Sequence, residues 1–292
     1  MSTSFPAPVP ATGPPLPPGR EIVLAGRGST FVREVAGPPG AATLLLLHGW
    51  TVTADLNWYA AYEALGRHFH LVAMDHRGHG RGVRSRRPFR LEDCADDAAA
   101  LAAVLGIDAL VPVGYSMGGP VAQLLWQRHR GLVRGLVLSA TGRSFSGASV
   151  QDRIYFAGLL GLSVASRLTP APLRRQLAGS LARRRLANSP IADWALAEMA
   201  RNDPSAILEA GWAIGRFRSH AWISGVDVPT AVIVTARDHV VAPARQRRLA
   251  ESIPSSRLWE VDGDHGACVT AADRYVPVLV DACLEVAERA GF

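Results

Sequence analysis

Apolar residues in this chain follow two rhythms that alternate along its length. Thr43-Leu44-Leu45-Leu46-Leu47 is a continuous apolar run of strand length, the kind that lies buried on both faces of a sheet. Glu21 to Ala25 and Thr30 to Val35 precede it as a first pair of strands. The strand signal returns at His70 to Met74, Ala109 to Val113, Leu136 to Ser139, Thr230 to Thr235 and Arg257 to Val261. Between these runs the pattern becomes helical, over Trp58 to Arg67, Leu91 to Leu105 with its acidic opening, Pro120 to Trp126, and Val276 to Arg289. Such alternation predicts an α/β fold: a mostly parallel, eight-stranded sheet with helices on both sides.

The rhythm breaks between about Arg143 and Gly225. That stretch shows helical periodicity without clear strands, over Ile154 to Leu168, Leu173 to Leu186, Ile191 to Arg201 and Ser205 to Phe217, with Pro170, Pro172, Pro190 and Pro204 dividing the segments. It predicts a helical cap inserted between two halves of one sheet. The expected organisation is a Pro-rich, disordered tail over 1–19, a first core part over 20–142, the cap over 143–225 and a second core part over 226–292.

Composition limits what such a chain can do. With 292 residues, 48% of them hydrophobic, it can bury a full core for one large domain. All 31 basic residues are Arg, and together with abundant Ala, Gly and Pro this points to coding bias from a GC-rich genome. The net charge of +6 would permit contact with nucleic acid or anionic lipid, but no nucleic-acid motif accompanies it. The clusters Arg81-Gly-Val-Arg84-Ser-Arg86-Arg87, Arg174-Arg175 and Arg183-Arg184-Arg185 read as solvated faces, and neither a nucleic-acid partner nor a peripheral membrane contact is expected. Cys94, Cys268 and Cys283 lack the even count and spacing of a disulfide framework or zinc site, which fits a reducing compartment, and Cys94 and Cys268 read as small core residues. The N-terminus has no basic start followed by an apolar core, and no window reaches the length of a membrane span, so a cytoplasmic protein is expected.

The chemistry gathers at Gly114-Tyr115-Ser116-Met117-Gly118-Gly119, which follows the apolar run Leu110-Val111-Pro112-Val113 and precedes Pro120 to Trp126. This is a strand, a sharp turn with Ser116 at its apex, and a helix: a nucleophile elbow. A serine on such a turn is held in a strained backbone conformation, and only small neighbours two positions away let strand and helix approach closely enough to hold it. Gly114 and Gly118 supply that room. The turn leaves the Met117 N–H at the helix N-terminus, where it can stabilise a developing oxyanion.

A serine hydroxyl needs a base, and the base needs an orienting carboxylate. Asp238 follows the strand Thr230 to Thr235, at the edge where sites gather in open α/β sheets. His265, in Val261-Asp262-Gly263-Asp264-His265-Gly266, follows the next strand. Asp262 and Asp264 are the competing acids, but a residue adjacent to His265 is poorly placed to meet its ring.

The elbow, the Asp and His after successive later strands, and the helical insertion together resemble the α/β-hydrolase superfamily from about Glu21 onward. Leu47-His48-Gly49-Trp50 resembles that family's loop after the third strand, which implies the Trp50 backbone N–H as second oxyanion donor beside Met117. Asp75-His76-Arg77-Gly78-His79-Gly80 resembles another family loop that is usually structural, and a metal site there is not expected. Two departures stand out. Thr235 lies where the family often has Gly three residues before its acid, and Asp264 lies where it often has Gly before the catalytic His.

The resemblance implies catalysis by Ser116, Asp238 and His265 with no cofactor, acting on a small-molecule ester, lactone or thioester. Carbon–carbon hydrolysis, acyl transfer, or a ligand receptor on the same scaffold are the alternatives. Ser116 argues against epoxide or halide chemistry, for which relatives use a carboxylate. Trp50 and Tyr115 are candidate substrate contacts, and His48 is expected to hydrogen-bond within its own loop, with a substrate contact as the alternative. Tyr155, Phe156, Trp194, Trp212, Phe217 and Trp222 suggest an apolar pocket under the cap, although any one of them could simply pack within it.

Overall fold

The computed structural model describes residues 13–145, 150–169 and 191–292. The predicted helix Leu173 to Leu186, its Arg clusters, and residues 1–12 of the tail lie outside them.

Eight strands form one sheet: β1 (Gly19–Leu24), β2 (Gly28–Val35), β3 (Thr43–Leu47), β4 (His70–Met74), β5 (Val111–Tyr115), β6 (Leu136–Ser139), β7 (Thr230–Thr235) and β8 (Ser256–Val261). Their spatial order is β1-β2-β4-β3-β5-β6-β7-β8. β1 pairs antiparallel with β2 and β2 with β4, and every later pairing is parallel. The apolar runs of β3 and β5 occupy the middle, buried on both faces. One core layer gathers α3 (Leu91–Val104) and α4 (Gly118–Arg128) around Trp126 and Met117. The opposite layer packs Trp58, Tyr62, Tyr115 and Tyr275.

The predicted helix Trp58 to Arg67 is instead two short ones, α1 (Ala54–Trp58) and α2 (Tyr62–Gly66). All five residues of α1 are buried, whereas α2 buries only Tyr62 and Leu65, and one continuous amphipathic helix could not serve both environments. Between β6 and β7 the described residues hold α5 (Val150–Leu168), α6 (Ala192–Met199) and α7 (Pro204–Arg216), with one bridge pair, Ser144 and Arg218. After β7 come α8 (Pro243–Glu251), α9 (Ala267–Thr270) and α10 (Ala272–Ala290), the last of which begins ahead of the predicted Val276.

Part of the expected disordered tail is ordered against the fold. The Pro17 carbonyl accepts from Arg33, Leu16 packs on the core, and Gly13 sits against the Trp194 indole. No helix among the described residues is long and apolar enough to cross a membrane.

Candidate active site

Ser116 sits between β5 and α4 with φ of +52°, a left-handed conformation that costs a non-glycine residue free energy and must be imposed by its surroundings. Those surroundings are explicit. Its N–H donates to Ser139 O at 2.9 Å, and its carbonyl accepts from Gly119 N at 2.9 Å and Thr141 Oγ1 at 2.8 Å. A Cβ on Gly114 would fall 2.4 Å from Gly118 O, and one on Gly118 would fall 2.0 Å from Leu47 O. Strand, turn and helix can thus meet only where both positions carry no side chain.

The turn aims Ser116 Oγ at His265 Nε2, 2.9 Å away, and His265 Nδ1 lies 2.7 Å from Asp238 Oδ2. Asp238 is 3% exposed. Burial pushes its carboxyl up, but the bond and charge of His265, the Val241 N–H and the Thr235 hydroxyl outweigh this and hold it below the usual carboxylate range. An ionised carboxylate can only accept, so Nδ1 carries the ring proton and Nε2 is left to accept from the serine hydroxyl. The other two acids are engaged elsewhere. Asp262 pairs with Arg237 and Arg274, and Asp264 accepts from Gly266 N and Thr270 Oγ1.

Facing the elbow is the loop after β3, where a Cβ on Gly49 would lie 3.4 Å from Ser116 Cβ. Among the described residues neither the Trp50 nor the Met117 backbone N–H has a protein partner. His48 fixes the peptide between Gly49 and Trp50: its Nδ1–H donates to Gly49 O at 2.7 Å while its Nε2 accepts from His76 N–H at 2.9 Å. Because the N–H of a trans peptide points opposite to its C=O, this bond aims the Trp50 N–H away from His48.

Two of the candidate substrate contacts are held within the protein. His48 is fully buried, and desolvation lowers it to about 4, so it serves its own loop as a neutral ring. Tyr115 is 3% exposed, with its hydroxyl donating to His265 O at 2.8 Å and its ring edge-on to Trp58 and Tyr275. It supports the histidine loop from beneath, because alternation along β5 turns residue 115 into the core just as 116 leaves it.

The loop after β4 has a structural role. Asp75 accepts from Ala54 N and Arg81 N, and Arg77 binds Asp97 through two nitrogens. The rings of His76 and His79 lie tilted against His48, with centroids 4.4 and 5.3 Å from it. Among the described residues no three His, Cys, Asp or Glu side chains converge as metal ligands.

The aromatic residues between β6 and β7 mostly pack. Trp194 lies edge-on to Tyr59, Trp222 stacks on Trp126, and Phe217 meets Trp222. Arg216 covers Trp212, while the Tyr155 and Phe156 side chains lie outside the described residues. Trp50 has a different neighbourhood: its indole N–H donates to Ile207 O at 2.8 Å, and its ring lies beside Gly211, where an added Cβ would fall 2.6 Å from it.

Several supporting residues were not visible in the sequence. Gln246 on α8 donates to Asp238 Oδ2 at 3.1 Å and to Thr235 Oγ1 at 2.9 Å, and Asn57 Oδ1 accepts from Gly49 N at 2.9 Å. The departure at Thr235 was the one available signal, since its hydroxyl donates to Asp238 Oδ2 at 2.8 Å.

A sequence model of the alpha/beta hydrolase fold matches residues 42–272. A protein of Agrobacterium fabrum, provisionally named a carbamate hydrolase, is 28% identical over 83% of this chain and 94% of its own length. The pimeloyl-(acyl-carrier protein) methyl ester esterase of Neisseria meningitidis is 29% identical over 84% and 94%. Among solved structures, the enol-lactonase of Burkholderia xenovorans superimposes with a TM-score of 0.75 at 22% identity, covering 91% of this chain and all of that one.

Proposed function

The chain belongs to the alpha/beta hydrolase fold family, and from that premise we propose that it hydrolyses a small ester, lactone or thioester through an acyl-enzyme on Ser116. The observation that carries this reading is the continuous relay from Asp238 Oδ2 to His265 at 2.7 Å and from His265 to Ser116 Oγ at 2.9 Å. His265 Nε2 takes the hydroxyl proton as Ser116 Oγ attacks the carbonyl carbon. The Trp50 and Met117 N–H groups receive the oxyanion that forms. Collapse expels the alcohol or thiol, which leaves with the proton from His265. A water molecule then gives its proton to His265 as it attacks the acyl-enzyme carbonyl, and when the bond to Ser116 Oγ breaks His265 returns that proton to Oγ, freeing the acid and Ser116. Asp238 stays ionised throughout, holding the ring and offsetting its positive charge.

The esterase and lactonase names of the relatives support a carbonyl substrate. The partly buried Trp50 ring, packed against the core beside the oxyanion loop, supports an apolar acyl or alcohol group. A fluorophosphonate probe tests the reading directly. Intact mass should show one adduct on the parent protein and none on Ser116→Ala, and a chain-length series of p-nitrophenyl esters should then be turned over. A folded parent that neither labels nor hydrolyses any of these esters would overturn it.

A further inference from the structure

The peptide that carries the Trp50 N–H is clamped from two directions. Upstream, the clamps belong to the sheet side of the molecule: Asn57 Oδ1 takes the Gly49 N–H at 2.9 Å and His48 takes the Gly49 carbonyl at 2.7 Å. Downstream, the chain passes through Thr51, whose φ is +70°. A β-branched residue in the left-handed region is an outlier, and it persists only where its neighbours fix it. The fixing bond comes from far away. Asn202, in the turn between α6 and α7, donates from Nδ2 to Thr51 O at 2.7 Å, across 151 residues of sequence. The Asn202 amide cannot be turned the other way, because its Oδ1 accepts from Gly80 N–H at 2.7 Å. A second tie joins the same two elements, the indole bond from Trp50 to Ile207 O at 2.8 Å.

We infer that Asn202 is a positioning residue for the oxyanion loop, holding Thr51 in its strained conformation and thereby fixing the Trp50 N–H from the helical segment between β6 and β7. The inference rests on the reading of Ser116 as nucleophile and Trp50 as oxyanion donor. Its content is that half of the loop's geometry is supplied by the sheet and half by α6 and α7. A change in how those helices are seated therefore reaches the reacting atoms through one amide.

The test is a cycle between Asn202→Ala and Thr51→Gly, read as kcat and KM on p-nitrophenyl butyrate and as the rate of fluorophosphonate labelling. A misplaced oxyanion donor lowers transition-state stabilisation rather than ground-state binding, so Asn202→Ala should lower kcat by about 10- to 100-fold with KM within about twofold. Glycine adopts φ of +70° without steric cost, so in the Thr51→Gly background the same substitution should cost less than about threefold. A purely structural role for Asn202 would give equal losses in both backgrounds. Asn202→Asp keeps the acceptor for Gly80 and loses the donor to Thr51, so it carries the same comparison should the alanine variant fail to fold. A folded Asn202 variant with the parent kcat, or equal losses in both backgrounds, overturns the inference. A parent inactive toward both ester and probe overturns the hydrolase reading and this with it, whereas an active parent with indifferent Asn202 variants overturns this alone.

Discussion

Asp238 accepts hydrogen bonds on both oxygens: the Val240 and Val241 N–H groups on Oδ1, and Thr235 Oγ1, Gln246 Nε2 and His265 Nδ1 on Oδ2. Every one of these partners donates, so the site is built for a carboxylate and for nothing that itself carries a proton. Asp238→Asn would turn an NH2 group toward one of the two donor sets and, where it faces His265, favour the ring tautomer that cannot accept from Ser116. The expected result is a kcat lowered by about 10³- to 10⁴-fold with KM little changed. Retention of kcat within about tenfold would show that another acid orients the ring. Asp238 and His265 could be singled out in the sequence because each follows a strand signal, β7 as a buried apolar run and β8 as the next strand in the alternation. Gln246 was not, since one buried amide in Pro243–Glu251, an otherwise polar and Arg-rich segment, leaves no periodic trace.

Among the elements, the β5–elbow–α4 unit was the most legible, because a strand, a Gly-flanked Ser and a helix are contiguous in sequence and need no distant partner to be recognised. Its tolerance is correspondingly narrow. Gly118→Ala would place a methyl 2.0 Å from the Leu47 carbonyl oxygen, a backbone atom of a central strand that cannot move aside. Overpacking of this kind should lower stability by about 2 to 3 kcal/mol in urea unfolding, and separate β3 from α4 enough to abolish labelling of Ser116. Gly131→Ala, with nothing within 4 Å of the added carbon, is the matched control and should remain within about 0.5 kcal/mol of the parent. Equal midpoints for the two variants would contradict the packing argument. The tie between Asn202 and Thr51 had no such local signature. Neither residue belongs to a periodic run, and only the folded chain brings them together.

For the molecule as a whole, the buried histidines set the acid limit. Desolvation lowers His48 to about 4, His79 to about 3, and His76 well below its ordinary value. In the unfolded chain all three take up protons near pH 6.5, while the folded chain refuses them until far lower. The unfolded state therefore binds more protons in this window. The stability these rings contribute is complete above about pH 6.5 and is lost as pH falls toward 4. Asp75 and Glu198, both raised mainly by burial, act in the opposite sense at the lower end. Unfolding between pH 6.5 and 5 should take up more than one proton per molecule, measured as the slope of unfolding free energy against pH. A flat profile there would mean that the rings are charged in the native state. The eight-stranded, mostly parallel sheet was foreseen from strand spacing alone, yet this histidine cluster was not, since His48 and His76 close it only when β3 and β4 lie side by side.

The bond from the Tyr115 hydroxyl to the His265 carbonyl acts at this same scale. Tyr115 is the last residue of β5 and Ser116 is the next in the chain, so Ser116 and His265 are mounted on one beam although they stand 149 positions apart. Any bending or twisting of the sheet that displaces the end of β5 displaces both together. Motion of that kind would be common to the pair and cancel in their separation, so the 2.9 Å contact between Ser116 Oγ and His265 Nε2 is referred to a single strand end.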